Sequence, residues 1–122
     1  MLKVQSLGQI AYRVQDVQKS TEFFRDVVGL PFLFSAGPNL AFFDLNGCRL
    51  MVTRDGSQQE TTNSILYFLV NSINEAYEAL NGQVKRVDEP HLIAEMADHD
   101  LYMFFIEDGQ GNTVGFMEER PK

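Results

Sequence analysis

The chain has 122 residues, 44% hydrophobic and 22% charged, with 10 Lys and Arg against 17 Asp and Glu and a formal net charge of −7. That length fits one domain with a sizeable core, and the acidic balance without a Lys/Arg cluster excludes a nucleic-acid partner and an anionic membrane surface, so a ligand selected by charge is a cation. The single cysteine, Cys48, cannot form an internal disulfide, no apolar run approaches the ~20 residues that span a bilayer, and the start lacks a signal-peptide core; the expectation is a cytoplasmic protein with no membrane partner.

Gln9 to Val14 alternates, with Ile10, Tyr12 and Val14 on one side, which predicts a strand. Asp16 is a candidate N-cap for a helix in which Phe23, Phe24, Val27 and Val28 fall at helical spacing, and Gly29 suits the left-handed residue that ends it. Pro31 to Ser35, Leu40 to Asp44 and Arg49 to Thr53 are short apolar runs separated by Ala-Gly-Pro-Asn and Leu-Asn-Gly, the pattern of an antiparallel meander. Residues 55–63 are polar, have no apolar period and read as a linker. The order then returns. Ser64 to Val70 is a strand, Ser72 and Glu75 form a capping box, Ile73, Ala76, Tyr77 and Leu80 make a helical stripe, and Asn81-Gly82 closes it. Gln83 to Val87, Pro90 to Met96, Leu101 to Glu107 and Thr113 to Glu118 supply further strands. The expected fold is α+β: two βαβββ modules, about 7–54 and about 64–118, in one domain spanning 1–122. Strand ends and helix caps repeat at an offset of 56 (Val14-x-Asp16, Val70-x-Ser72), the last hairpins at 64 (Gly47-x-x-Leu50, Gly111-x-x-Val114). The difference places an eight-residue insertion in the second half, around His91 to Asp100.

Gln9-Ile-Ala-Tyr-Arg-Val-Gln-Asp16-Val17, followed by Phe23-Phe24 and Val28-Gly29-Leu30, and then Phe105-Ile-Glu-Asp108-Gly-Gln-Gly111-Asn112-Thr-Val-Gly-Phe116, carry a resemblance. Together with the repeat they resemble the vicinal-oxygen-chelate superfamily, which includes glyoxalase I, extradiol dioxygenases and the fosfomycin- and bleomycin-resistance proteins. The resemblance covers about Leu7 to Glu118, with Gly109 standing where the closing hairpin often has proline. It implies that the two modules form a curved mixed sheet with a concave cavity, and that one divalent ion is held by four side chains on the concave face, two from each half. By motif those positions fall on Gln9, Met51, Ile65 and Gly115. Only the Gln9 amide is an oxygen donor, and a divalent ion needs several His, carboxylate or thiolate ligands. The expectation is no metal and no cofactor.

His91, Glu95 and His99 are spaced by four, which on a helix makes one metal-binding face. On a strand the same three residues stretch over roughly 26 Å at about 3.3 Å per residue, unless a turn near Ala97-Asp98 brings His99 back beside His91. The favoured reading is an ordinary surface or cavity-rim histidine pair rather than a metal site, with His91 left open as a ligand contact or a general base.

Alternation assigns Gln9, Ala11, Arg13, Arg49, Met51, Thr53, Ile65, Tyr67, Leu69, Thr113, Gly115 and Met117 to the cavity face. A four-residue hairpin loop at Asp108–Gly111 puts Phe104 opposite Gly115 and Tyr102 opposite Met117; the repeat then puts Phe42 and Leu40 opposite Arg49 and Met51. The candidate ligand-binding set is therefore Gln9, Arg13, Phe42, Arg49, Met51, Tyr67, His91, Tyr102, Phe104, Gly115 and Met117, an apolar and aromatic trough with polar handles. Two bland readings stand beside it: the same side chains fill the trough themselves or form a dimer seam. The favoured reading is a metal-independent homodimeric binder of a small organic molecule, cationic or aromatic, similar to the bleomycin-resistance branch and without chemistry of its own. The alternatives are a glyoxalase I-like lyase, isomerase or dioxygenase with a displaced metal, and an interaction module with no small ligand.

Overall fold

Both helices begin where a short oxygen-bearing side chain turns back on the backbone. In the computed structural model, which describes residues 1–54 and 63–122, extended Asp16 accepts from the Lys19 N–H at 3.0 Å and extended Ser72 accepts through Oγ from the Glu75 N–H at 3.2 Å. Each satisfies an N–H that the first helical turn leaves without a partner. The first helix, α1 (Val17–Glu22), widens into a π-helical segment over Phe23–Val28 that ends at Gly29, φ 86°. There the Gly29 and Leu30 N–H groups both reach the Phe24 carbonyl. The widened turn buries Phe23 and Phe24 together, with Phe24 edge-on to Tyr12 at 5.3 Å. The second helix is α2 (Ile73–Ala79).

The chain divides into two compact units, Met1–Asn63 and Ser64–Lys122. Most of the expected 55–63 linker lies outside the described residues. In the first unit, β1 (Gln9–Arg13), β2 (Phe32–Ser35), β3 (Leu40–Leu45) and β4 (Cys48–Thr53) form an open mixed sheet in the order β1-β4-β3-β2. Strands β1 and β4 are parallel, with Ile10 beside Leu50, and the rest are antiparallel. One face of the sheet packs on the helical segment through Tyr12, Phe43, Leu50 and Val52, all at most 1% exposed. The side chain of Asn63 grips the outer edge of β1, the end strand of this sheet, accepting from the Arg13 N–H at 3.0 Å and donating to the Arg13 carbonyl at 2.7 Å.

The second unit holds β5 (Leu66–Leu69), β6 (Lys85–Arg86), β7 (His91–Glu95), β8 (His99–Glu107) and β9 (Thr113–Pro121). Strand β5 is parallel to β9, and β8 is antiparallel to β9. The edge of β8 is shared by β6 at one end and β7 at the other, the place that β2 alone takes beside β3. The second half is thus βα followed by four strands, one more than the repeat predicts. No helix among the described residues is long and apolar enough to cross a membrane.

The two closing hairpins differ in parity. In the first, Leu45 pairs with Cys48 around Asn46 (φ 55°) and Gly47 (φ 100°), the two-residue turn that Asn-Gly favours. In the second, Glu107 pairs with Thr113, leaving five residues in the loop. Asp108 organises them: Oδ1 accepts from the Gln110 and Asn112 N–H groups at 2.8 and 3.0 Å, and Oδ2 from Asn112 Nδ2 at 2.8 Å. Phe43 faces Leu50 across seven positions and Ile106 faces Val114 across eight. One residue of the extra length therefore sits in this hairpin, and it turns β8 over relative to the four-residue-loop expectation.

Candidate functional site

Each sheet has one face under its helix and one open face, and successive strand residues divide between them. On the first unit's open face, Gln9 Nε2 donates to Met51 Sδ at 3.7 Å, Phe42 lies opposite Met51, and Phe34 of β2 stacks on Phe42 at 4.7 Å. The Arg49 guanidinium stands 5.6 Å from the Phe42 ring centroid, and Arg13 and Arg49 are both exposed. Phe42 was expected opposite Arg49, and Leu40 opposite Met51. Leu40 in fact pairs with Thr53, a two-residue shift that leaves both on the expected face.

On the second unit's open face, Tyr67 of β5, Gly115 of β9 and Phe105 of β8 form one row, and Leu69, Met117, Met103 and His91 the next. Tyr67 and Phe105 meet edge to face, centroids 5.7 Å apart at 82°. They close over Gly115, where a Cβ would stand 2.9 Å from Phe105 Cε1 and 3.0 Å from Tyr67 Cδ2. Glycine is required there for space and not for its backbone, since its φ is not among the positive ones.

The turned-over β8 corrects two site assignments. Phe104 is fully buried, stacked on Phe116 at 5.2 Å and edge-on to Tyr77 of α2 at 5.3 Å, so it belongs to the core. Tyr102 pairs with Glu118, not Met117, on the helix side, with the Arg120 guanidinium 4.2 Å above its ring. Their places on the open face go to Phe105 and Met103, which the assumed loop length hid. Phe34 was missed for another reason: β2 carries a bulge at Leu33 that breaks simple alternation. The sequence shows the Asp-Gly-Gln-Gly-Asn loop but not its length: its terminal Asp and Asn close on each other only in the fold, the Asp108 N–H bonding the Asn112 carbonyl at 3.0 Å.

The buried Glu118 takes a structural role on the helix side. Its carboxylate accepts from Arg120 Nε at 2.9 Å and from the Ile73 N–H at 2.8 Å, where α2 begins. These two donors, Arg120 first, hold its pKa below the ordinary glutamate value.

The histidines do not converge. His91 faces Met103 across the strand pair, and its Nδ1 lies 2.8 Å from the Glu89 carbonyl oxygen, which can only accept, so Nδ1 carries the proton. His99 pairs with Pro121 and bonds Asp98 Oδ1 at 2.7 Å. A turn does reverse the chain after β7, but its register leaves His99 four positions along β8 from Met103, about 13 Å away. Glu95 pairs with Asp100, on the opposite face from His91. Among the described residues no group of three or more His, Cys, Asp or Glu could hold a metal ion.

The Glyoxalase/Bleomycin resistance protein/Dioxygenase superfamily matches residues 6–116. The chain belongs to this superfamily. Among solved structures, the lactoylglutathione lyase from Agrobacterium tumefaciens is 18% identical at a TM-score of 0.75, over 95% of each chain. TioX from Micromonospora sp. ML1 is 16% identical at 0.74, over 93% of this chain and 98% of its own. A glyoxalase/bleomycin resistance protein/dioxygenase from Alicyclobacillus acidocaldarius is 14% identical at 0.71, over 98% and 95%. These likenesses fix the fold as that of the superfamily.

The residues at the superfamily's usual metal positions do not fit a divalent ion. Gln9 spends its amide on a thioether, Met51 is that thioether, and Ile65 is an exposed alkyl group. Gly115 has no side chain, and two aromatic rings fill the space where a carboxylate would stand. That set offers one hard oxygen donor, well short of what zinc, manganese or iron requires.

Proposed function

We propose that this chain binds a small organic molecule, aromatic or cationic, through side chains alone, and holds it without a resident metal and without transforming it. The observation that carries the reading is Gly115, covered by Tyr67 and Phe105. The position that the superfamily gives to a metal-binding carboxylate serves here as the seat of an aromatic pair. Open faces that mix aromatic rings and thioethers with a few polar groups suit an organic ligand better than a hydrated ion. Exposed Phe32, Leu33 and Phe34 on the edge strand β2 support a homodimer as the working form, since an apolar edge left to water invites pairing.

The test is thermal shift and calorimetry in EDTA with bleomycin, as a cationic glycopeptide, and a panel of small aromatic compounds. At least one compound is expected to raise the melting temperature and titrate to saturation. Silence across the panel contradicts the reading. So does isomerisation of a hemithioacetal, or cleavage of a catechol, that disappears with the chelator.

A further inference from the structure

The acidic excess of the chain is not shared between its units. Residues 1–63 carry six Lys/Arg and six Asp/Glu, whereas residues 64–122 carry four Lys/Arg against eleven Asp/Glu, so the entire net charge of −7 belongs to the second unit. That unit also carries the aromatic corner on Gly115, with Tyr67 47% exposed. Glu107 and Glu119 stand on the same open face of β8 and β9; Glu107 is 3.6 Å from Lys85, and Glu119 is exposed.

An aromatic ring presents negative potential at its face and attracts a cation within about 6 Å of its centroid. The surplus negative charge of the unit adds a long-range attraction for any cation that approaches this face. An anion is repelled by this unit. A neutral ring gains contact but nothing from the field, and a bare metal ion finds no donor set. A planar organic cation uses both features.

We propose that the open face of β5, β9 and β8 binds an aromatic organic cation, its ring against the Tyr67–Phe105 corner and beside the Met103 and Met117 thioethers. Gly115 is the specificity-determining residue, because any side chain there forces at least one of the two rings to move. This rests on the ligand-binding reading above and narrows it to one unit and one charge class.

The experiment titrates the full chain, labelled with 13C at the methionine methyls, with N-methylquinolinium, quinoline and 1-naphthoate at pH 7. These are bicyclic rings of similar size that are positive, neutral and negative. N-methylquinolinium is expected to shift the Met103 and Met117 methyls, to bind more tightly than quinoline, and to bind far more tightly than naphthoate. Its affinity should fall several-fold near 1 M salt, where the screening length is about 3 Å. Tyr67→Leu should weaken it about five-fold while still unfolding in one cooperative transition, and Tyr67→Phe should retain it. Naphthoate binding as well as the cation, a shift at Met51 in place of Met103 and Met117, or no shift from any of the three overturns the assignment. If bleomycin or another panel compound still binds in EDTA, the broader ligand-binding reading survives that result. If nothing binds in either experiment, both fall.

Discussion

Replacing Gly115 with alanine tests the seat of the aromatic pair. The added Cβ meets Phe105 Cε1 at 2.9 Å, Tyr67 Cδ2 at 3.0 Å and Phe105 Cδ1 at 3.2 Å, so at least one ring must move. Inserting a methyl group into a packed site costs about 1–3 kcal/mol, while alanine in a strand regains about 0.5–1 kcal/mol of backbone entropy relative to glycine. The Tyr67 ring is half exposed and can swing outward, which keeps the packing cost below the upper end of that range, at about 2 kcal/mol. The expected net loss is about 1 kcal/mol, a fall in melting temperature of roughly 3–8 °C for a domain of this size. Urea denaturation of Gly115→Ala, Tyr67→Ala and the double variant provides the assay. The glycine substitution should cost clearly less when Tyr67 is already truncated, because one of the two clashing rings is then gone. A Gly115→Ala variant as stable as the parent, with Tyr67 and Phe105 ring resonances unmoved, refutes the argument that glycine is required for space.

The other predictions address the register, the helix start and the sheet edge. Phe104→Ala should destabilise by about 3–5 kcal/mol, whereas half-buried Phe105→Ala should cost about 1–2 kcal/mol; reversal of that order in chemical denaturation contradicts the five-residue hairpin. Glu118 has a folded pKa below its unfolded value, so its contribution is present above the unfolded glutamate pKa and is lost as pH falls through the folded one. Glu118→Gln should therefore lower stability by about 1–2 kcal/mol at pH 7 and flatten the acid limb of a stability–pH curve, and an unchanged acid limb contradicts the role given to the carboxylate. Asn63→Ala should speed amide exchange at Arg13 and cost about 1 kcal/mol, and unaltered protection there shows that the side chain does not hold the β1 edge.

The two helix starts, the Asn46-Gly47 turn and the inner faces of β1, β4, β5 and β9 were legible because each rests on local chemistry: an Asp or Ser cap, a positive-φ pair, a clean period of two. The π-helical turn over Phe23–Val28 was not, since the same apolar residues satisfy an ordinary helix. For the site, Gln9, Arg13, Phe42, Arg49, Met51, Tyr67, His91, Gly115 and Met117 occupy the expected open faces. Tyr102 and Phe104 failed together, because a strand's facing hangs on a single residue of loop length. A sequence shows that a loop is present, but the Asp108 side-chain bonds that set its closure form only in three dimensions. The charge segregation lies in the sequence too, but the net charge of −7 conceals it until the two halves are counted separately.

Binding without metal is tested most directly by calorimetry of one ligand on a single preparation before and after exhaustive EDTA treatment, with metal content assayed in both. The prediction is substoichiometric zinc, nickel, manganese and iron throughout, and a Kd unchanged within a factor of two, well under the 1.4 kcal/mol that a ten-fold change represents. Stoichiometric metal in the untreated protein, with affinity lost on chelation and restored by adding that metal back, would contradict it.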